Sequence, residues 1–96
     1  MATYLVLWNW TEQGIHNFKE SPKRVEAFKQ LAEKHGGKLL QFLYTLGKYD
    51  GAAIVEAPND EAFLKVALAL GSLGNVRTTT LKAWTASEAA KVINQV

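Results

Sequence analysis

The amino-acid sequence predicts an α+β fold of the ferredoxin-like type, a βαββαβ sandwich followed by a short C-terminal helix. Strand-like and helix-like segments follow each other in that order, with turn-forming residues between them. Right-handed split βαβ connections then give an antiparallel sheet in the order 4-1-3-2, with both main helices on one face.

The first strand is predicted at residues 3–10, which are mainly β-branched, aromatic and aliphatic. Residues 11–20 are polar with scattered apolar residues, and a single helical turn is expected there before the break at Pro22. Ser21 as N-cap and Pro22 at the first helical position predict a helix that runs to about His35. The two glycines at residues 36 and 37 end this helix, as a left-handed C-terminal position would.

A hairpin turn then leads into a second strand–helix–strand unit. Residues 38–46 and 52–57 are predicted strands, and the turn at residues 47–51 joins them. Asn59 caps a second helix that runs to about Leu70. The last elements are a threonine-rich strand at residues 76–84 and a short helix that begins with a capping box at residues 85–88.

Composition limits both the size and the chemistry of the protein. The 96 residues are 48% hydrophobic, contain no cysteine and carry a net charge of +2, which predicts a single domain over residues 1–96 with one core. Disulfides, thiolate nucleophiles and sulfur-based zinc sites are excluded. The basic residues are scattered among acidic ones, so no nucleic-acid partner is expected. No apolar run approaches a membrane span of about 20 residues, and we expect a soluble, cytoplasmic protein that does not bind membranes.

The first two strands are apolar on both faces, which predicts self-association. In strand one Val6 and Trp8 point one way and Leu5 and Leu7 the other. Because the two helices cover only one face, an apolar face of about 300 Å² would remain open, and a second copy packing sheet against sheet would cover it. This arrangement is a dimeric α/β barrel. The alternative is that the C-terminal helix folds across its own sheet.

Strand two is also apolar on both faces, because Leu40, Phe42, Tyr44 and Leu46 alternate with Leu39 and Leu43.

The second helix also carries an apolar arc beyond its core stripe. Leu64 and Leu68 extend that arc to another side of the helix. Either the C-terminal helix packs there, or a second interface forms a larger even-numbered oligomer.

Three segments resemble the GYD domain family, and the resemblance covers nearly the whole chain. They are the Gly-x-Tyr-Asp turn at residues 47–50, residues 10–14 upstream and residues 70–79 downstream. Lys48 occupies the variable position of the turn. The resemblance implies a fold related to dimeric α/β barrel proteins. It implies no particular activity and supplies no catalytic residues.

The distinctive segments converge at one end of the predicted sheet, which makes that end the candidate site. The candidate ligand-binding residues are Trp8, Trp10, Tyr49, Asp50 and Arg77. A phenol, a carboxylate and a guanidinium close to two indoles suit a small apolar or anionic molecule. The alternative is structural: Asp50 ties the hairpin turn, Tyr49 packs, Arg77 is an edge-strand charge, and the tryptophans belong to a core or interface.

Metal and cofactor chemistry has little support in the sequence. His16 and His35 are the only histidines and are too far apart for an i, i+4 metal pair. A haem role would need one of them as axial ligand, and only analogy with some dimeric α/β barrel enzymes suggests it. No P-loop, dinucleotide or nucleophile-elbow motif is present, so no cofactor and no metal are predicted.

Three functions remain open at this point. The first is a non-catalytic homo-oligomeric module that binds a small molecule near Trp10, Tyr49 and Arg77. The second is a cofactor-free enzyme of the small monooxygenase or isomerase kind, with Asp50 or Tyr49 transferring protons. The third is a structural assembly subunit. A buried Asp50 lining a cavity would favour the enzyme, and an Asp50 that caps a turn would not.

Overall fold

The computed structural model describes residues 1–96 and contains four strands and four α-helices. In chain order the elements are β1 (Ala2–Trp10), α1 (Glu12–His16), α2 (Ser21–Lys34), β2 (Lys38–Tyr44), β3 (Gly51–Ala57), α3 (Asp60–Ser72), β4 (Val76–Ala83) and α4 (Ala86–Ile93). Thr11 caps α1, which is followed by one 3-10 turn, Phe18–Glu20.

The sheet confirms the predicted topology, because its order is β2-β3-β1-β4 and every neighbouring pair is antiparallel. Both main helices pack on the same side. Phe28 and Ala32 of α2 and Phe63 and Val66 of α3 belong to one buried cluster with alternate residues of β1 and β3. The fold is therefore the ferredoxin-like sandwich that the sequence predicts.

Residue parity in β1 decides which side of the sheet the helices cover. Tyr4, Val6 and Trp8 are buried on the helix side. Leu5 and Leu7 point to the opposite side, which we call the open face. The register partners of Leu5 and Leu7 on β3 and β4, together with Leu43 of β2, complete the open face. These residues are Leu43, Ala52, Ile54, Thr79 and Leu81.

A bulge in β2 changes the predicted alternation. The register shifts between Leu39 and Gln41, so that Leu39 and Phe42 both pair with buried residues of β3 and lie on the helix side. Strict alternation from the sequence would put Leu39 opposite Phe42. One extra residue, Leu40, is accommodated at the bulge, and the parity reverses there. The prediction that Leu39 lies on the face opposite Phe42 is wrong for this reason.

The start of α2 also differs from the prediction. Ser21 is the first helical residue rather than the cap, and the N-cap residue, Glu20, makes no capping hydrogen bond. The hydroxyl of Ser21 instead lies 2.7 Å from the hydroxyl of Tyr44 on β2. Because the preceding 3-10 turn leads directly into α2, the chain reaches Ser21 already in helical conformation. At the other end Gly36 has φ 81°, as the predicted left-handed stop requires.

The C-terminal helix α4 has the predicted capping box but does not cover the sheet. Thr85 accepts a hydrogen bond from the backbone of Glu88, and the Glu88 side chain accepts one from the backbone of Thr85. None of its residues is buried. The radius of gyration, 14.2 Å, exceeds the roughly 12.5 Å of a compact chain of this length, as expected for a projecting arm.

Within one chain, α4 therefore covers neither the open face of the sheet nor the second apolar side of α3. The open face keeps Leu81 48% exposed and Ile54 37% exposed, and the second apolar side of α3 keeps Leu64 and Leu68 more than half exposed. No helix of the chain has the length and apolar character needed to span a bilayer.

Candidate functional site

The segments after β1 and before β4 are fastened to each other at one end of the sheet. Thr11 makes two of these bonds: its N–H donates to the carbonyl of Asn75 at 3.1 Å, and its hydroxyl donates to the carbonyl of Gly74 at 2.6 Å. Gln13 adds bonds from its side-chain amide to the Leu73 carbonyl and the Asn75 side chain. We call these contacts of Thr11 and Gln13 with residues 73–75 the latch. The latch fixes the segment after β1 against the segment before β4.

Beside this latch lies a pocket between the helix side of the sheet, α2 and the end of α3. Its cavity volume is about 60 Å³, and ten of its fourteen lining residues are hydrophobic. The sheet contributes Val6, Trp8, Trp10, Phe42, Val76 and Thr78; α2 contributes Ser21, Arg24, Val25, Phe28 and Leu31; and Leu70, Leu73 and Asn75 complete the lining.

Aromatic side chains form the sheet wall of the pocket. Trp8 stacks on Phe42 with ring centroids 5.5 Å apart and meets Trp10 edge to face at 4.9 Å. Tyr44 adds an edge contact to Trp8 at 5.7 Å. These separations lie in the favourable range for aromatic pairs, so the rings stabilise one another in this arrangement.

Gly51 makes room for the indole of Trp8. The two residues are direct partners in the β1–β3 register. A Cβ on residue 51 would lie closer than 3.0 Å to Cε2 and Cζ2 of Trp8 and to the carbonyl oxygen of Leu43. Only glycine therefore lets the ring lie across the strand, which fixes where Trp8 meets the pocket.

The indole nitrogen of Trp8 is the buried side-chain donor of this wall that has no hydrogen-bond partner. Trp8 is 3% exposed, and its Nε1 is buried without a hydrogen-bond partner. Buried N–H donors in folded proteins nearly always have an acceptor, because an unpaired donor loses its hydration without replacement.

The α2 side of the pocket carries its only charge. The guanidinium of Arg24 donates to the carbonyl of Asn17 at 2.7 Å and to that of Gly14 at 3.3 Å. Both carbonyls belong to the C-terminal part of the short helix α1, where a positive charge is favourable. Arg24 therefore holds α1 in place and is already partly engaged by backbone acceptors.

Asp50 fastens the hairpin turn to β1. Its carboxylate Oδ2 accepts a hydrogen bond from the N–H of Trp10 at 2.8 Å, and its own N–H donates to the carbonyl of Trp8 at 2.9 Å. Its carbonyl accepts from the N–H of Thr45 across the turn. Asp50 does not line the pocket.

Tyr49 and Arg77 lie at the same end of the sheet but away from the pocket. Tyr49 is half-buried in the turn, with the Lys48 ammonium 5.7 Å from its ring centroid. Arg77 pairs with Asn9 in the β1–β4 register and shares the parity of the open face. No ion pair joins Arg77 to Asp50. Of the five predicted residues, only Trp8 and Trp10 line the cavity.

A separate polar cluster lies at the opposite end of β1. The hydroxyl of Tyr4 donates to Oδ1 of Asp60 at 2.5 Å, and the ammonium of Lys82 lies 3.0 Å from the same oxygen. Burial and the hydrogen bond to Asp60 raise the pKa of Tyr4 to about 12. The hydrogen bonds from Tyr4 and Lys82 lower the pKa of Asp60. The cluster anchors the start of α3 to the sheet.

Sequence reasoning missed the α2 and α3 side of the pocket. Ser21, Val25 and Phe28 recur at helical spacing and were a visible signal of one face. That spacing is equally typical of a core stripe, and it does not show that packing against β1 stays incomplete. The contribution of Leu73 and Asn75 depends on the latch, which links residues more than 60 positions apart.

A ferredoxin-like sandwich with a preformed apolar pocket has the features of a small binding module. The chain belongs to the GYD domain family, whose model matches residues 4–93. A relative from Thermus thermophilus, named glutamine synthetase and cystathionine beta-lyase binding protein, is 33% identical over 84 residues. That alignment covers 86% of this chain and 88% of the relative.

Two solved structures agree with the fold. The crystal structure of TTHA0845, also from Thermus thermophilus, superposes with a TM-score of 0.57 at 26% identity, over 90% of this chain and 96% of that chain. The crystal structure of MtbAldR (Rv2779c) superposes with a TM-score of 0.58 at 13% identity, over 88% of this chain but only 52% of that chain. The second likeness concerns the fold alone.

Proposed function

We propose that the protein is a non-catalytic, homo-oligomeric module that binds a small molecule in the pocket between α2 and the sheet. The observation that carries this proposal is the cavity of about 60 Å³ beside Trp8 and Trp10. Cores normally fill such a volume with side chains, because an empty apolar cavity costs stability. A cavity walled by stacked aromatic rings and held open by a hydrogen-bonded latch suits an apolar occupant.

The position of Asp50 favours binding over catalysis. A general base must reach the proton that it abstracts in a bound substrate. The Asp50 carboxylate accepts from the backbone of Trp10 instead and lies outside the pocket lining. Tyr49 does not line the pocket either. The enzyme alternative would need a different group, and the pocket offers mainly apolar side chains.

Ligand-observed NMR with a set of compact apolar fragments tests the pocket. We expect binding to wild-type protein and loss of binding in Val25→Phe, which adds a phenyl ring to the lining. The control is Leu68→Phe, the same kind of enlargement on the exposed side of α3, outside the pocket. The proposal fails if no fragment binds, or if both variants bind as wild type does. Absence of any ligand would favour the structural-subunit alternative.

Self-association is the second part of the proposal, and the open face supports it. Leu5, Leu7, Ile54 and Leu81 form an apolar surface that no element of the same chain covers. A stable interface buries about 800 Å² per partner, more than the roughly 300 Å² of the sheet face in projection. The unburied apolar side of α4 would supply further area.

Charge placed on the open face tests self-association. We expect Ile54→Lys to convert the oligomer to monomer in sedimentation velocity, because a buried unpaired ammonium is costly. The matched control is Leu64→Lys on α3, which is exposed on the other side of the molecule and should leave the oligomer intact. A wild-type protein that sediments only as a 10.6 kDa species would contradict this part of the proposal.

Binding of other proteins is a second candidate function. The Thermus relative is named as a binding protein for two enzymes, glutamine synthetase and cystathionine beta-lyase. The same exposed apolar surfaces that favour a second copy would also serve a protein partner. Pull-down with purified forms of these two enzymes tests this role, with Ile54→Lys and Leu64→Lys as the variants that separate the two surfaces.

A further inference from the structure

We infer that the free edge of β4 pairs antiparallel with the β4 edge of a second copy, so that the two four-stranded sheets join into one continuous sheet. The inference rests on the proposed self-association through the open face. It adds a second contact between copies and places the threonine run of β4, Thr78, Thr79 and Thr80, at the centre of that contact.

No element of the chain covers the outer side of β4. The strand lies at the end of the sheet and has only β1 as a neighbour. Its residues from Arg77 to Lys82 are all exposed, and α4, which follows it, has no buried residue. An uncovered edge strand presents unpaired N–H and C=O groups, which makes it a template for another strand.

The hydrogen bond between Thr11 and Asn75 shows which residues of β4 direct their backbone groups outward. The N–H of Thr11 donates to the Asn75 carbonyl, and these two residues continue the β1–β4 register by one step. Hydrogen-bonded pairs occur at every second position of an antiparallel ladder. The N–H and C=O groups that point away from β1 therefore belong to the even-numbered residues of the strand, which are Val76, Thr78, Thr80 and Lys82.

The β4 edge lacks the features by which proteins usually block strand addition. The other edge of the sheet, β2, is interrupted by the bulge at Leu40, whereas the β1–β4 register runs without a shift. β4 contains no proline. The ammonium of Lys82, a residue type that commonly protects edges, instead contacts Asp60 of α3 at 3.0 Å. The edge is therefore long, regular and open.

The sequence of β4 is complementary to a second copy of itself. Outward-directed residues must pair with outward-directed residues, so two antiparallel copies combine even-numbered positions only with even-numbered ones. Arg77 and Lys82 differ in parity and therefore never lie opposite each other. In the register centred on the threonine run, Thr79 lies opposite its own counterpart and Thr78 opposite Thr80. Threonine pairs across strands are stabilising, and no like charges face each other in this register.

Edge pairing also supplies area that a single open face lacks. One open face measures about 300 Å² in projection, whereas a stable interface buries about 800 Å² per partner. Two sheets paired at β4 present about 600 Å² of continuous open face, to which α4 adds its unburied apolar side. The edge contact alone measures about 27 by 10 Å, which is too small to persist, so Ile54→Lys still gives a monomer. The assembly is a tetramer in which two paired sheets stack through their open faces.

Disulfide trapping tests the pairing, because the chain has no cysteine and each variant then carries a single thiol. In the inferred register Thr79 and its counterpart form a non-hydrogen-bonded pair with Cα atoms about 4.5 Å apart, which suits a disulfide. The matched control is Thr80→Cys, which is also exposed on β4 but lies about 8 Å from its counterpart, too far for a disulfide. In glutathione redox buffer, Thr79→Cys should form the covalent dimer about tenfold faster than Thr80→Cys.

Proline at position 80 separates edge pairing from open-face packing. Because the N–H of Thr80 points away from β1, Thr80→Pro keeps the β1–β4 ladder and the open-face side chains but removes a donor from the edge. We expect wild-type protein to sediment as a tetramer and Thr80→Pro as a smaller species. Adding Thr80→Pro to Thr79→Cys should abolish the fast cross-link. If Thr80→Pro does not fold, Thr78→Glu combined with Thr80→Glu replaces it, because the register sets these carboxylates opposite each other.

Three outcomes would overturn the edge pairing and leave open-face self-association in place. The first is equal cross-linking rates for Thr79→Cys and Thr80→Cys. The second is a Thr79→Cys cross-link that persists with Thr80→Pro, since Thr79 lies on the open face and the thiols would then meet across that face. The third is a wild-type dimer that Thr80→Pro leaves unchanged. A wild-type protein that sediments only as a 10.6 kDa species would contradict both the inference and the proposed self-association.

Discussion

Replacing Gly51 by alanine should destabilise the fold more than any other single-methyl addition to the sheet next to the pocket. The added Cβ would lie closer than 3.0 Å to Cε2 and Cζ2 of Trp8 and to the carbonyl oxygen of Leu43. The carbonyl belongs to the β2 backbone, which is held by pairing with β3, so relief of this contact strains the sheet. The indole must move as well.

The magnitude follows from what the indole touches. Overpacking a filled site costs about 1 to 3 kcal/mol. Displacement of Trp8 also weakens its contacts with Phe42 and Tyr44, each worth about 0.5 to 1.5 kcal/mol. We expect a loss of about 3 kcal/mol in the free energy of unfolding. For a chain of this length that is a fall in Tm of roughly 10 to 20 °C.

Urea unfolding followed by tryptophan fluorescence measures this change, with all variants at one protein concentration because association shifts apparent stability. Gly71→Ala is the matched control. A Cβ on Gly71 meets nothing within 4 Å, and the residue lies in α3, where alanine is favoured over glycine by about 0.5 to 1 kcal/mol. Gly51→Ala with wild-type stability would refute the packing of Trp8 across β3.

Four further predictions concern the hydrogen bonds, the tyrosine and aspartate ionisations and the C-terminal helix. Asp50→Ala should lower the free energy of unfolding by about 1 to 3 kcal/mol, because the N–H of Trp10 loses its acceptor, and Asp50→Asn should lower it less. The lowered pKa of Asp60 stabilises the fold above pH 3.8, and this contribution is lost as pH falls further; urea titrations should show a shallower acid loss in Tyr4→Phe. Absorbance at alkaline pH should show one tyrosine, Tyr4, ionising near pH 12. Deleting residues 86–96 should leave the unfolding free energy of the monomer unchanged and weaken self-association in sedimentation.

The order of elements and the sheet topology could be predicted from the sequence because they depend on local signals. Strand-like residue types, Asn59 as a cap and the Thr85 capping box each act within a few residues. The handedness of βαβ connections then leaves few topologies. These signals were enough for the fold and for the expectation that three segments meet at one end of the sheet.

The side of the sheet on which each group lies could not be predicted in the same way. Alternation puts Trp8 and Arg77 on opposite faces only after the register across β1 is known. The bulge at Leu40 reverses parity in β2 without a glycine or proline to signal it. The engagement of Asp50 with the Trp10 backbone depends on a contact between residues 40 positions apart.

The alternation along β1 has a consequence for how the two proposed surfaces work. Val6 and Trp8 face the pocket, whereas Leu5 and Leu7 face the open side, so the same strand forms a wall of each. Side chains on one face can be changed without removing any on the other, which is why Val25→Phe and Ile54→Lys test separate interactions. The backbone of β1 is nevertheless shared. A ligand that only fills existing space leaves that backbone where it is, and binding and assembly are then energetically independent. Coupling between them would require a ligand large enough to displace Trp8, whose position Gly51 and the Leu43 carbonyl restrict.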